Sequence, residues 1–151
     1  MSDTSCQRVV CSTPVNLGLL LVRTPFGLFF FLAGVGKIRG GISNFASHAM
    51  GMVPSWMPPN LGSAYLHALP FAEILTGLMV IFGLLTRVVG VIQTLMLISF
   101  IIALGGVKPV PNTGPFHYNV IYVCIALMLA LVGPGAWSVD EALFGRKAVS
   151  A

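Results

Sequence analysis

The side chains best suited to chemistry lie inside long apolar stretches of the chain. Glu73 falls near the middle of the segment 67–85, HALPFAEILTGLMVIFGLL, which is long enough to cross a lipid bilayer. A charge at the centre of a membrane helix costs about 2.5–3.5 kcal/mol for Asp, Lys or Arg on insertion scales. We therefore expect Glu73 to face other helices or a water-filled cavity, where an ionisable group often marks a ligand or proton path. A purely structural ion pair or a bond to the backbone is the alternative role.

Two basic residues of the first apolar segment are candidate partners for this carboxylate. One helical face of the segment carries residues at steps of four, three, four and three: Arg23, Gly27, Phe30, Gly34 and Lys37. The glycines on this face allow another helix to approach closely. We expect Arg23 to pair with Glu73, because its long side chain can span an axial offset of several ångströms. Lys37 is the alternative partner, and Arg23 could instead extend to the nearer membrane surface.

A second set of polar residues is expected at the outer mouth of the bundle, beneath the first long loop. It comprises Lys37, His67, His117, Tyr118 and Asn119. This layer could accept a small polar headgroup, such as a quinone carbonyl or a thiosulfate-like anion, or it could only anchor helix ends at the membrane surface. Gln93 is the most polar buried candidate of the third apolar segment. We predict catalytic roles for Glu73, Arg23 and Lys37, and ligand binding by the remaining five residues.

Several other kinds of site find no support in the sequence. The three cysteines, Cys6, Cys11 and Cys124, form no CxxC pair, and nothing near the first two completes a metal site. The two histidines of the mouth layer bring no further ligands with them, so no metal or haem site is predicted. The chain shows no nucleophile elbow, phosphate loop or dinucleotide-binding fingerprint. Because basic residues form no run, nucleic acid is not an expected partner.

The composition places these residues in a membrane protein. Of 151 residues, 56% are hydrophobic and 8% are charged, whereas soluble domains carry about 25% charged residues. We predict an all-α membrane protein, a four-transmembrane-helix bundle. Its apolar spans cover about 15–36, 64–85, 88–104 and 116–132. The predicted divisions are a flexible cytoplasmic tail at 1–14, the membrane domain at 15–135 and a C-terminal interfacial segment at 136–151.

The connections between the spans carry their own signals. Residues 42–50 predict a short interfacial helix in the first outer loop, and Trp56 is typical of the membrane surface. Thr86 and Arg87 predict a very short turn between the second and third spans, which makes these spans an antiparallel hairpin. Ser138, three residues before Glu141, predicts the N-cap of a short surface helix near the C-terminus.

The basic residues outside the spans indicate an orientation. Four spans put both termini on one side of the membrane. That side carries Arg8, Arg87, Arg146 and Lys147. The opposite side carries Lys37, Arg39 and Lys108. The slight excess favours cytoplasmic termini.

Three stretches resemble the DoxX family of small four-span membrane proteins. They are RTPFGLFFFLAGVGKI, PFAEILTGLMVIFGLLTR and FHYNVIYVCIALMLALVGPGAWSVDE, and the resemblance covers roughly residues 17–144. It implies a four-helix bundle in a bacterial or archaeal cytoplasmic membrane, with polar family positions at Arg23, Lys37, Glu73 and Asn119. Relatives include the membrane subunit of a thiosulfate:quinone oxidoreductase. The branch of the family that uses a CxxC pair is disfavoured, because this chain has none.

The resemblance leaves three functions open. The first is a membrane subunit that passes electrons from a small sulfur compound, such as thiosulfate, or from a partner protein to quinone. The second is a non-enzymatic scaffold or assembly subunit of a larger redox complex. The third is a small-molecule or proton carrier that uses the buried carboxylate. Membrane lipid and either other subunits or further copies of the chain are the expected partners.

Overall fold

The computed structural model describes residues 13–104, 106 and 118–144, and helices dominate these ranges. His117 and the basic residues at 8, 108, 146 and 147, which entered the predictions above, lie outside the described residues. The helices are α1 (Thr13–Arg39), α2 (Ile42–Met50), α3 (Pro59–Phe82), α4 (Thr86–Ala103), α5 (Asn119–Val132) and α6 (Val139–Phe144).

Three of these helices, α1, α3 and α4, are long and apolar enough to cross a membrane. The fourth apolar helix, α5, is shorter, with 14 described residues. Large apolar side chains point outward along all four, including Leu21, Leu75, Leu95 and Leu131. An outer surface of this kind is typical of a helix bundle that faces lipid rather than water.

The connection between α3 and α4 differs from the predicted one. The turn was expected at Thr86 and Arg87, but α3 ends at Phe82 and Thr86 is already the first residue of α4. Gly83 ends α3 because it adopts a left-handed conformation, with φ 69°, which glycine tolerates without strain. At its other end α3 begins at Pro59, five residues before the predicted start, since proline is well suited to the first helical position.

Close helix packing between α1 and α3 depends on glycines. A Cβ on Gly27 would lie 2.7 Å from the Gly77 carbonyl oxygen, and a Cβ on Gly77 would lie 2.6 Å from the Phe31 nitrogen. A Cβ on Gly34 would lie 2.6 Å from the Pro70 carbonyl oxygen. The two backbones are therefore in direct contact along the face that the sequence predicted for α1.

A second close contact joins α4 to α5. A Cβ on Gly90 would lie 2.9 Å from the Ala126 carbonyl oxygen and 2.9 Å from the Ala130 nitrogen. The described helices thus form two tightly packed pairs, α1 with α3 and α4 with α5. The apolar core between them contains Phe26, Phe30, Leu69, Val80, Val89, Met96, Leu97, Ala126 and Leu129.

The short helix α6 folds back onto the α3–α4 turn. The Glu141 amide donates to the Ser138 hydroxyl at 3.1 Å, which is the N-cap contact predicted from the sequence. The Asp140 carboxylate accepts hydrogen bonds from the amides of Leu85, at 2.6 Å, and Thr86, at 2.9 Å. It therefore supplies an acceptor at the N-terminus of α4, where the backbone has none of its own.

Candidate functional site

The carboxylate of Glu73 is buried and forms an ion pair with Lys37. The Lys37 Nζ atom lies 2.6 Å from both carboxylate oxygens. The Glu73 side chain is 2% exposed and the Lys37 side chain 23%, so the ammonium group is the more accessible member of the pair. The geometry follows from the close packing at Gly34, one helical turn before Lys37, where a Cβ would meet the Glu73 Cβ at 3.1 Å. The expectation that Glu73 turns inward is confirmed.

The predicted ion pair between Arg23 and Glu73 is wrong, and the alternative partner, Lys37, takes its place. Arg23 lies beside Gly83, ten residues and about 15 Å along α3 from the carboxylate. Its guanidinium group donates to the carbonyl oxygens of Pro134 and Trp137, each at 2.7 Å. Arg23 is also 2% exposed, so it does not extend to a surface of the molecule.

A cavity of about 390 Å³ adjoins the Lys37–Glu73 pair. It lies at the end of the bundle where the C-terminal parts of α1 and α4 meet the N-terminal parts of α3 and α5. Its walls are mostly apolar and include Phe29, Phe30, Phe45, Trp56, Leu69 and Phe100. The volume is within the range of about 300–1,000 Å³ that small-molecule sites occupy.

Helix α2 and the segment that follows it cover one side of this cavity. Phe45 contributes its ring, which lies 5.3 Å from the Lys37 Nζ atom, a cation–π distance. Met52, Met57 and Trp56 continue the lining along the loop, and Trp56 remains 73% exposed. The first long loop therefore contacts the site, as the sequence predicted, but it contributes apolar walls rather than polar groups.

Two hydroxyl groups in the cavity wall were not predicted. The Tyr65 hydroxyl lies 2.6 Å from the Ser99 Oγ atom, and Ser99 donates to the Met96 carbonyl oxygen at 2.7 Å. A signal for Tyr65 was present in the sequence, since Tyr65, Leu69 and Glu73 recur at steps of four and share one helical face. Ser99 had no comparable signal, because a serine near the end of an apolar helix has many possible roles.

Only some of the residues predicted at the outer mouth line the cavity. Tyr118 and Asn119 line the cavity, and Asn119 is buried. His67 is exposed and does not line the cavity; its Nδ1 atom lies 2.8 Å from the Ser63 carbonyl oxygen of its own helix.

Gln93 is fully buried but is not part of the cavity wall. Neither of its side-chain polar atoms has a hydrogen-bond partner among the described residues. Within the same residues, no group of three His, Cys, Asp or Glu side chains is arranged to hold a metal ion. The polar side-chain atoms of the described cavity wall come from the ion pair, the Tyr65–Ser99 pair, the start of α5 and the indole N–H of Trp56.

This arrangement provides hydrogen-bond donors in an apolar space without a net charge. A lysine ammonium group has three N–H donors, and the two carboxylate oxygens of Glu73 engage two of them. Among the described residues, only the Glu73 carboxylate accepts hydrogen bonds from the Lys37 ammonium group, so its third N–H can donate to an acceptor on a ligand. Because the carboxylate balances the ammonium charge, a neutral ligand fits the site better than an anion does.

Comparisons with known proteins agree with this structure. A sequence model of the DoxX family matches residues 18–106. The Bacillus subtilis protein named "Putative oxidoreductase CatD" is 32% identical over 132 residues, which cover 87% of this chain and 91% of the relative. The Escherichia coli inner membrane protein YqjF is also 32% identical over 132 residues, covering 85% of this chain and 93% of the relative. No solved structure matches the chain.

The family match covers more than half of the chain, and both relatives align over most of their own length. The long apolar helices and the apolar outer surface agree with the name of the inner-membrane relative. The chain is therefore a membrane protein of the DoxX family.

Proposed function

We propose that this chain is the membrane subunit of a quinone-linked oxidoreductase, and that the cavity beside Lys37 and Glu73 holds the quinone ring. The observation that carries the proposal is a neutral ion pair in the wall of a largely apolar, aromatic cavity. The name of the Bacillus subtilis relative, which includes the word oxidoreductase, supports the same class of activity.

The proposal includes four crossings of the cytoplasmic membrane with both termini in the cytoplasm. The 14 described residues of α5 extend about 21 Å, which is shorter than the hydrocarbon core of about 30 Å. The fourth crossing is therefore proposed from the span at 116–132 that the sequence predicts. An inner-membrane location is taken from the name of the Escherichia coli relative. In this orientation the cavity lies toward the outer surface, with α2 at the interface above it and α6 at the cytoplasmic interface.

The proposed binding mode follows from the groups in the wall. Aromatic side chains such as Phe30 and Phe100 offer apolar surface to a flat ring. The third N–H of Lys37 donates to a ring carbonyl, and Glu73 keeps the ammonium group charged and in position. A bound quinone would be reduced by taking up two electrons and two protons. Lys37 would hold the carbonyl oxygen as a hydrogen-bond donor. A partner chain would supply both electrons, and both protons would come from solvent at the partly exposed Lys37 end of the cavity.

The same charge balance separates the quinone from any sulfur substrate. Thiosulfate is a dianion, and a cavity whose ammonium group is already neutralised offers little compensation for its charge. We therefore propose that a small sulfur compound is oxidised on a partner chain, which releases the electrons. The alternative function, a non-enzymatic scaffold of a redox complex, does not require the cavity to bind a ligand.

The test is quinone binding measured by the fluorescence of Trp56. The chain has two tryptophans, so Trp137→Phe leaves Trp56 as the single reporter and keeps the backbone carbonyl that Arg23 contacts. Menadione, a tail-free quinone, should quench this fluorescence saturably. Glu73→Gln should weaken binding by about tenfold or more, because the Lys37 ammonium group loses the carboxylate that positions it. The hydrogen bond from Lys37 to the ring carbonyl would then be lost, and a bond from a charged donor contributes about 1.5–3 kcal/mol.

His67→Gln is the matched control, since His67 is on the same helix but exposed and outside the cavity. It should leave the quinone affinity unchanged. If the parent protein shows no saturable quenching, the proposal fails and the scaffold alternative is favoured. If Glu73→Gln lowers the stability but not the affinity, the ion pair is structural and the proposed binding mode is wrong.

A further inference from the structure

The cavity contains a second polar position that the proposed function does not use. Tyr65 and Glu73 are eight residues apart on α3 and share its cavity-lining face. Their backbone positions differ by about 12 Å along the helix axis. Leu69 lies between them on this face and also lines the cavity. The floor of the cavity is thus polar at two levels with an apolar side chain between them.

The proton arrangement makes Tyr65 a donor. A serine hydroxyl has a single proton, and Ser99 directs its proton to the Met96 carbonyl oxygen at 2.7 Å. In the contact of 2.6 Å between the two hydroxyls, Tyr65 therefore donates to Ser99. Rotation about the C–O bond of the phenol can redirect that proton to a ligand without breaking the bond between Ser99 and the backbone.

We propose that Tyr65 is the second anchor of the ligand, so that the cavity selects flat rings with hydrogen-bond acceptors on two opposite sides. One acceptor binds the third N–H of Lys37 and the other binds the Tyr65 hydroxyl. This inference rests on the proposed function and deepens it, because it assigns the ligand to the para-quinones. Without a ligand, Ser99 accepts the phenol proton, so it competes with the ligand for Tyr65 and is not part of the binding site.

A structural role for the two hydroxyls makes a different prediction. Tyr65 and Ser99 connect α3 to α4, and a simple tie between helices would depend equally on both members. A ligand donor depends on Tyr65 alone. Ser99→Ala removes the competing acceptor and leaves the phenol proton free for the ligand, so the two single variants should behave in opposite ways.

The experiment compares two ring ligands on variants of the Trp137→Phe protein. Menadione has two opposed carbonyls, and α-tetralone, a ring of the same size, has one. Tyr65→Phe should weaken menadione binding by about three- to tenfold, the loss of one neutral hydrogen bond. The affinity for α-tetralone, measured by competition against menadione, should not change. Ser99→Ala should preserve or improve menadione binding.

The outcomes separate this inference from the proposed function. If the parent protein does not bind menadione, the proposed function fails and this inference with it. If the parent binds menadione but Tyr65→Phe binds it equally well, only the present inference is overturned. An equal loss of affinity in Tyr65→Phe and Ser99→Ala, or an equal loss for both ligands, also overturns it and makes the hydroxyl pair a tie between helices.

Discussion

Two basic side chains of α1 lie toward opposite ends of the bundle, Arg23 buried and Lys37 partly exposed, and they find their hydrogen-bond acceptors in different ways. Arg23 and Lys37 are 14 residues apart, or about 21 Å along the helix. Arg23 donates to two backbone carbonyls of the segment after α5. Lys37 donates to the carboxylate of Glu73 and borders a cavity. The sequence made both residues candidates for the same site, and the structure places them toward opposite ends of the helix bundle.

The hydrogen-bond acceptors of each basic side chain indicate whether that side chain is structural or takes part in ligand binding. The planar guanidinium group of Arg23 has fixed donor directions, which suit two carbonyls of a closing segment. The same end is fastened by Asn16, which accepts from the Ala136 amide at 2.9 Å, and by Asp140. The ammonium group at the other end pairs with a carboxylate and remains partly exposed. We therefore interpret the Arg23 end as structural closure and the Lys37 end as the ligand site.

The largest expected effect tests this division directly. Arg23→Met leaves the Pro134 and Trp137 carbonyls without their charged donor. Because two such hydrogen bonds contribute about 1.5–3 kcal/mol each, the free energy of unfolding in detergent should fall by about 3 kcal/mol or more. Menadione affinity of the folded protein should change by less than about twofold, because Arg23 does not line the cavity and lies about 21 Å along α1 from Lys37. Loss of binding without loss of stability would restore Arg23 to the functional site.

A smaller effect is expected between the two ends, at the glycine contacts of α1 with α3. Gly77→Ala places a Cβ 2.6 Å from the Phe31 nitrogen, so the helices must separate. Overpacking of this kind costs about 1–3 kcal/mol, and both stability and menadione affinity should decrease. Gly18→Ala is the control, since nothing lies within 4 Å of its Cβ. If Gly77→Ala changed neither the stability nor the menadione affinity, α1 and α3 would have to pack less closely than the structure shows.

The smallest predicted effect concerns the cap at the closed end. Asp140→Ala removes the acceptor for the Leu85 and Thr86 amides. Loss of a helix cap typically lowers the free energy of unfolding by about 1 kcal/mol. Thermal unfolding should register this change, with menadione affinity unaffected, whereas exposed Glu141→Ala should leave both unchanged. A drop in affinity for Asp140→Ala would mean that the two ends are coupled.

The burial pattern of individual helices was predictable from the sequence. The face containing Gly27, Phe30 and Gly34 is buried, and so is the α3 face containing Pro70 and Glu73. Such faces follow from helical periodicity and from the cost of exposing a carboxylate to lipid, both of which are local properties. The same periodicity places Tyr65 on this face of α3, in the cavity wall.

The pairing of charges could not be derived in this way. It depends on the axial register of α1 against α3, which the contacts of Gly27 and Gly34 set, and on the return of residues 133–140 to cover Arg23. The sequence alone gives neither the register nor the path of the returning segment. A span boundary that is wrong by five residues moves a side chain by about 7.5 Å along the helix axis. The sequence by itself determined that this protein is an apolar helix bundle with a sheltered acid. The tertiary structure alone decided that Lys37 shelters it, since helix register selects which cation comes within hydrogen-bonding distance.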